Sequence, residues 1–232
     1  ATIEPTIVIK GTVSNAAIEV DGTLIADAAP GTEIVFTSVK DDIFGNPLDT
    51  NGDGSSTQPA RNNWNRIQFD ATSDDANCVL DYCIIKWGNE VVDCESSGPL
   101  VNHCTISDNT YGVRIAGNGN PRIWNTAINN AQYTPILMSM ASDPDFQNIT
   151  FNGNALNGLG ILEGTLSGVG RLKRRDVAGI ISIAYVSLSG VTIASGGDLT
   201  IDPGDRNGRG EPSLKRRAIP LNRGDLAGRI GG

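Results

Sequence analysis

The residues best suited to chemistry in this 232-residue chain lie in Asp49-Thr-Asn-Gly-Asp-Gly-Ser. Asp49, Asn51 and Asp53 alternate, and Gly54 follows where a sharp turn is needed. Such a loop curls carboxylates and carbonyls around one point, and a hard cation such as Ca²⁺ takes about six to eight oxygens. The spacing matches the first half of a D-x-[DN]-x-[DN]-G loop. It departs from that pattern at the twelfth position, where Ala60 stands in place of the bidentate Glu. Asp41 or Asp42 would supply the remaining oxygens if the loop folds back, which makes both expected metal ligands beside Asp49, Asn51 and Asp53. A bound Ca²⁺ would then be structural, pinning the loop against the body. The alternative is a polar turn without an ion.

Acid–base or nucleophilic constellations are harder to assemble. Asp74-Asp75 and Asp143/Asp145 are paired carboxylates, but they stand at turns beside Asn or Pro, where Asp bonds its own backbone. His103 is the only histidine, and without a second partner it builds no Ser-His or Cys-His site. Trp64, Trp87 and Trp124 share no single column, so they read as packing residues. Cys78, Cys83, Cys94 and Cys104 are spaced by 5, 11 and 10, which is not a zinc pattern.

What positions these residues is a repeat. Segments starting at Cys78, Gly98, Asn120 and Asp143 are four versions of one pattern, whose matched positions advance by 21, 22 and 23 residues. Leu80, Val101, Ile123 and Phe146 form one column. Cys83, Cys104, Thr126 and Ile149 form a second, and Ile85, Ile106, Ile128 and Phe151 a third. A second set follows each segment: Val92, Val113, Ile136, Leu159, and then Cys94, Ile115, Met138, Ile161. Apolar residues two apart indicate strands with one face buried. A short period with several strands indicates a solenoid, here an all-β right-handed parallel β-helix with coils of about 21–25 residues. Equivalent residues then stack roughly 4.8 Å apart. The column Tyr82, His103, Asn125, Asn148 is expected to stack at a bend, with its amides satisfying buried backbone groups. Cys83 and Cys104 share an inward column on adjacent coils and read as buried thiols. Asp93 and Arg114 each lie between inward residues, so both are expected to point outward, one coil apart. They read as an ion pair across coils and are the only, weak, candidates for catalysis.

Residues 1–40 hold alternating strands broken by Asp21-Gly22 and Pro30-Gly31. Residues 41–63 lose the alternation and form a long loop, and Asn63-Trp-Asn-Arg-Ile-Gln-Phe resumes the coil, Ile67 and Phe69 matching Val92 and Cys94. The β-helix is assigned to residues 1–165. Residues 166–204 read as a linker and the start of a further β-helix-like unit, the basic run Arg171–Arg175 being a solvated linker. Leu199-Thr-Ile-Asp-Pro-Gly repeats the style of Ala1-Thr-Ile-Glu-Pro-Thr. Residues 205–232 are Arg, Gly and Pro rich without periodicity and read as an irregular basic tail.

The net charge of −8 is uneven: residues 1–170 carry 7 Lys+Arg against 20 Asp+Glu, and residues 171–232 carry 11 against 6. An acidic body argues against nucleic acid and anionic membranes as partners and permits divalent cations. No apolar run approaches a membrane span, and no signal peptide opens the chain.

The stretch Asp21-Gly-Thr-Leu-Ile-Ala, Ile34-Val-Phe-Thr-Ser-Val-Lys-Asp-Asp, the Asp/Asn/Gly loop, then Trp64 and Ile67, resembles right-handed parallel β-helix repeat proteins of the pectin-lyase-like fold, of the type found in secreted and surface proteins of bacteria. Val191-Thr-Ile through Leu199-Thr-Ile-Asp-Pro-Gly looks like the start of another such unit. The resemblance covers about residues 1–204 and implies export. Lyases of this fold abstract a proton from a uronate with Arg or Lys while Ca²⁺ neutralises the carboxylate, and the resemblance implies that Asp70 and Asp93, with Lys86 or Arg114 as the base, are the residues that would be arranged so here. Because the fold hosts lyases, hydrolases, adhesins and scaffolds, the expectation is a secreted or cell-surface structural or adhesive module. Its partners would be other copies or a larger surface protein, within an assembly or filament. A glycan-binding module or a Ca²⁺-dependent lyase of acidic polysaccharide is the alternative.

Overall fold

The chain turns its corners on left-handed residues stacked one above another. At the first corner stand Tyr82, His103, Asn125 and Asn148, with φ of 50°, 46°, 48° and 50°. At the second stand Trp87, Asp108, Asn130 and Gly153, with φ of 65°, 60°, 54° and 68°. Asn, Asp, His and Gly tolerate this region best, so the 21–23-residue period fixes where the backbone bends. The computed structural model describes residues 1–204; the expected basic tail, 205–232, lies outside the described residues.

Each of the first six coils contributes three short strands. Coil 1 holds β1 (Thr2–Ile3), β2 (Val8–Gly11) and β3 (Ala17–Val20). Coil 2 holds β4 (Ile25–Asp27), β5 (Ile34–Ser38) and, after the long loop, β6 (Arg66–Phe69). Coil 3 holds β7 (Val79–Asp81), β8 (Cys83–Lys86) and β9 (Glu90–Glu95). Coil 4 holds β10 (Leu100–Asn102), β11 (Thr105–Ser107) and β12 (Tyr111–Ala116), and coil 5 β13 (Arg122–Trp124), β14 (Ala127–Asn129) and β15 (Ile136–Met138). Coil 6 holds β16 (Asp145–Gln147), β17 (Thr150–Asn152) and β18 (Leu159–Ile161). Stacking gives three parallel sheets: A (β1-β4-β7-β10-β13-β16), B (β2-β5-β8-β11-β14-β17) and C (β3-β6-β9-β12-β15-β18, closed by β21, Tyr185–Ser187). No helix occurs among the described residues.

The register reproduces the sequence columns. Val101 stands between Leu80 and Ile123, Ile106 between Ile85 and Ile128, and Val113 between Val92 and Ile136. Ile67 and Phe69 pair with Val92 and Cys94, so the coil resumes in phase after the loop. All of these side chains are fully buried, each contributing roughly 1.5–3 kcal/mol by removal from water. Cys83 and Cys104 are buried free thiols, and the neighbouring Cys104 thiol, together with burial, pushes the Cys83 thiol far up.

Several expectations are corrected. The Tyr82–Asn148 column does not satisfy buried backbone: its left-handed residues point outward, so Asn148 donates to Asn125 Oδ1 at 3.0 Å and Asn125 to Asn102 Oδ1 at 2.9 Å. His103 stacks on Tyr82, with centroids 4.5 Å apart, rather than on Asn125. The buried backbone groups are met one corner later. Buried Asn109 accepts from Gly88 N at 2.7 Å and donates to Ile85 O at 3.2 Å. Asn154 repeats this for Ala131 N and Ile128 O at 2.8 and 3.0 Å.

The basic run is not a solvated linker. After β18 the chain makes an excursion through β19 (Gly164–Leu166) and β20 (Val169–Leu172), which later pair with β22 (Val191–Ile193) and β23 (Asp198–Ile201). This side lobe has its own small core of Met140, Leu166 and Leu172. Lys173 and Arg175 then both grip Asp143, and the Arg175 guanidinium lies 5.5 Å over the Phe146 ring. The run thereby fastens a plug: the Val177-Ala-Gly-Ile180 turn and Ile183 close the end of the main core, Val177 and Ile183 being buried. The Thr-Ile-Asp-Pro resemblance does not carry over to the sheets, since β1 joins sheet A while β23 pairs with β20.

Candidate functional site

The outward positions of sheet C run in register as Glu19, Gln68, Asp93, Arg114, Leu137 and Gly160. Strand alternation puts them on the outer face, as the sequence implies. Asp93 is nevertheless fully buried, because longer side chains fold over it. Arg114 Nη1 lies 2.7 Å from Asp93 Oδ1 and 2.9 Å from Glu95 Oε2, and its Nε lies 3.5 Å from Glu90 Oε2. Arg66 Nη1 approaches Asp93 Oδ2 at 3.3 Å and Glu90 Oε2 at 3.8 Å. Burial pushes the Asp93 and Glu90 carboxyls up, and the neighbouring guanidiniums offset only part of this. Arg114 is pulled down by burial but held above its usual range by Asp93, Glu95 and Glu90. The arrangement locks its guanidinium among three carboxylates. Of the residues a lyase-like arrangement would use, Asp70 accepts from Gln68 at 2.6 Å and Lys86 lies 3.5 Å from Asp108.

Beside this network Tyr111 and Tyr133 stack with centroids 5.1 Å apart, and Tyr133 is 40% exposed. A groove of about 680 Å³ continues along the face, with Glu95, Arg114, Gly117 and Ser139 as floor and Glu163 and Thr165 of the side lobe as wall. Sequence reasoning missed Arg66, Glu90 and Glu95, which stand at the ends of β6 and β9, off the matched columns, and reach Asp93 or Arg114 by the length of their side chains. It also passed over Tyr111 and Tyr133, although they stand 22 residues apart, one period.

The second cluster lies in the long loop between β5 and β6, which contains a cis Asn46–Pro47 peptide. Carboxylate oxygens of Asp42, Asp49 and Asp53 come within 4.8 Å of one another. Asp49 accepts from the backbone N–H of Asp53 and Gly54 at 3.1 and 2.9 Å. Asp53 Oδ2 accepts from Asn51 Nδ2 at 2.9 Å and from the Thr57 hydroxyl, chiefly the latter holding its carboxyl below the usual range. Asp42 Oδ1 and Asp53 Oδ1 are shielded from water and have no hydrogen-bond donor. Lys10, which reaches into the loop, donates instead to the carbonyls of Asp41 and Leu48 and to the Thr50 hydroxyl. Among the described residues no ion pair involves Asp42, Asp49 or Asp53. A hard cation fits this oxygen set. Asp41, expected among the ligands, is committed elsewhere: fully buried, it accepts from Thr37 Oγ1 at 2.6 Å and Trp87 Nε1 at 3.1 Å, anchoring the loop to coil 3.

The remaining expected pairs serve the fold. Asp74 accepts from Asn77 at 2.7 Å, Asp75 from Gly98 N at 2.7 Å and Asp145 from Trp124 Nε1 at 2.9 Å. His103 Nδ1 lies 3.0 Å from Asp81.

Residues 61–175 match the family described as right handed beta helix region. Neither the curated proteins nor the solved structures contain a match. The matched span covers coils 3 to 6, and the same parallel ladders extend on both sides of it: the chain is a right-handed parallel β-helix repeat protein.

Proposed function

We propose that this β-helix is a structural or adhesive module of an extracellular or cell-surface assembly. The observation that carries this is the unlike treatment of its two ends. The far end of the main core is plugged by Val177 and Ile183. Among the described residues no strand pairs with the outer edges of β1, β2 and β3, and the inward Ile3, Ile9 and Ile18 of that coil are only half-buried, with Ile7 and Val13 45% and 54% exposed. Strand edges backed by apolar residues recruit further strands. Light scattering across a concentration series, with electron microscopy of the same samples, tests the idea. A monomer at every concentration, with no higher species in images, overturns it. Cell fractionation tests the location, and recovery in the cytoplasm alone contradicts it.

Ca²⁺ at the Asp42–Asp49–Asp53 loop belongs to the same reading, as a clamp on the loop. The two shielded carboxylate oxygens without donors support it. A second reading, recognition of polysaccharide along sheet C, is favoured by the stacked Tyr111–Tyr133 pair, since sugar faces pack on aromatic rings. Saturable binding of a neutral or acidic glycan, lost in Tyr133→Ala, would support it; product formation would make the protein a lyase or hydrolase.

A further inference from the structure

From the side lobe we infer that the protein binds an extended, lysine- or arginine-bearing peptide as an added strand on the free edge of β19, within the sheet C groove. In a parallel ladder, alternate residues direct their N–H and C=O to the same neighbour, and those between them to the other side. On β19 the partner side is β22: Gly164 N donates to Gly190 O and Leu166 O accepts from Ala194 N. Thr165 therefore presents its N–H and C=O to the opposite side, where it lines the groove. On β20 the carbonyls of Gly168 and Leu172 accept from Asp198 N and Asp202 N, while Arg171 N turns the other way to Met140 O. Val169 shares Arg171's orientation and also lines the groove. Among the described residues no backbone bond reaches Thr165 or Val169 from that side.

The edge is firm, because Leu166 and Leu172 are buried in the lobe's own core with Met140. Main-chain bonds to such an edge supply affinity and alternate side chains supply specificity. One set of side chains would meet Val169, which is 77% exposed. The other would meet Glu163 and Glu95 in the lining. Of the charged residues in the lining, Glu95 and Glu163 outnumber Arg114, whose guanidinium is already engaged by Asp93 and Glu95. Excess negative charge selects a cationic partner.

The test uses the full chain and three short peptides at low salt, read by calorimetry: alternating valine and lysine, the same with glutamate for lysine, and the lysine peptide N-methylated on alternate residues. The lysine peptide is expected to bind, with the glutamate and N-methylated forms at least about tenfold weaker. Thr165→Pro removes the edge N–H but leaves the Gly164 and Leu166 bonds to β22. It should weaken the unmethylated lysine peptide severalfold by leaving one peptide carbonyl without its donor, with an unchanged circular dichroism spectrum. Glu163→Gln, at the exposed position just before β19, should narrow the lysine-over-glutamate ratio. Equal binding of lysine and glutamate peptides, equal binding of the N-methylated form, no binding at millimolar peptide, or displacement by an acidic polysaccharide alone would each overturn the proposal.

Discussion

Two groups of carboxylates, built from the same residue type on one solenoid, are treated in opposite ways. On sheet C, Glu90, Asp93 and Glu95 gather around Arg66 and Arg114 and are closed by direct contacts down to 2.7 Å. In the 39–65 loop, Asp42, Asp49 and Asp53 converge with no cationic side chain of the described residues paired to them, and two of their oxygens are shielded and without donors. The first group is complete by itself, so its chemistry is spent on holding the face together. The second carries uncompensated negative charge that its own neighbours only partly relieve. An acidic cluster thus points to a ligand when the chain leaves it unneutralised, and to architecture when guanidiniums fill it.

The largest effect should come from unbalancing the closed group. Arg114→Ala leaves Asp93 buried beside a single weaker partner and should cost about 3–5 kcal/mol in chemical denaturation. Pairing it with Asp93→Leu should recover much of that loss, whereas an unrecovered double mutant would mean that the network is needed for more than charge balance. Next, Ca²⁺ should stabilise the open group. At a hundred times Kd the gain is about 2.7 kcal/mol, visible as a rise in Tm. Asp53→Asn should remove the Ca²⁺ response and leave the metal-free Tm nearly unchanged; a response that persists would place the ion elsewhere. Asp41→Ala should cost about 1–3 kcal/mol, by stripping the Thr37 hydroxyl and the Trp87 indole of their acceptor. It should also weaken Ca²⁺ binding through a loosened loop, which proteolysis within 41–63 would register.

The smallest effect is in pH dependence, where the two groups have opposite signs. Asp93 and Glu90 have folded pKa values raised by burial. Their contribution is fully present below the unfolded carboxyl pKa and is lost as pH rises through the folded values. Asp53 is lowered, chiefly by Thr57, so its contribution is present above the unfolded pKa and is lost as pH falls through the folded value. Denaturation midpoints should therefore show Asp93→Asn flattening the mildly acidic limb and Asp53→Asn the strongly acidic one. Identical profiles for both variants would erase the distinction.

The fold was legible because the period is short and the buried columns are nearly pure. Leu80, Val101 and Ile123, or Val92, Val113 and Ile136, meet in the expected register. The outward placement of Asp93 and Arg114, one coil apart, was legible for the same reason. Burial of Asp93 was not, because it depends on Arg66 and Glu90 reaching across from neighbouring positions. The Asn column misled because a left-handed corner turns its side chain outward, while the inward amides, Asn109 and Asn154, recur only on alternate coils around Ala131. The plug misled too: Arg171–Arg175 is charged and lacks alternation, and nothing in its spacing announces Asp143 or Phe146 as its seat.

By itself the sequence determined the solenoid, its coil length, its inward ladders and the position of its long loop. A backbone that repeats every 21–23 residues with one buried face has few ways to satisfy its hydrogen bonds other than by stacking on itself. Tertiary structure alone decided which acidic residues are neutralised, which oxygens are shielded and unpaired, and which strand edges stay open. Those properties depend on side chains from different coils arriving at one place, and distance along the chain does not encode how far each can reach.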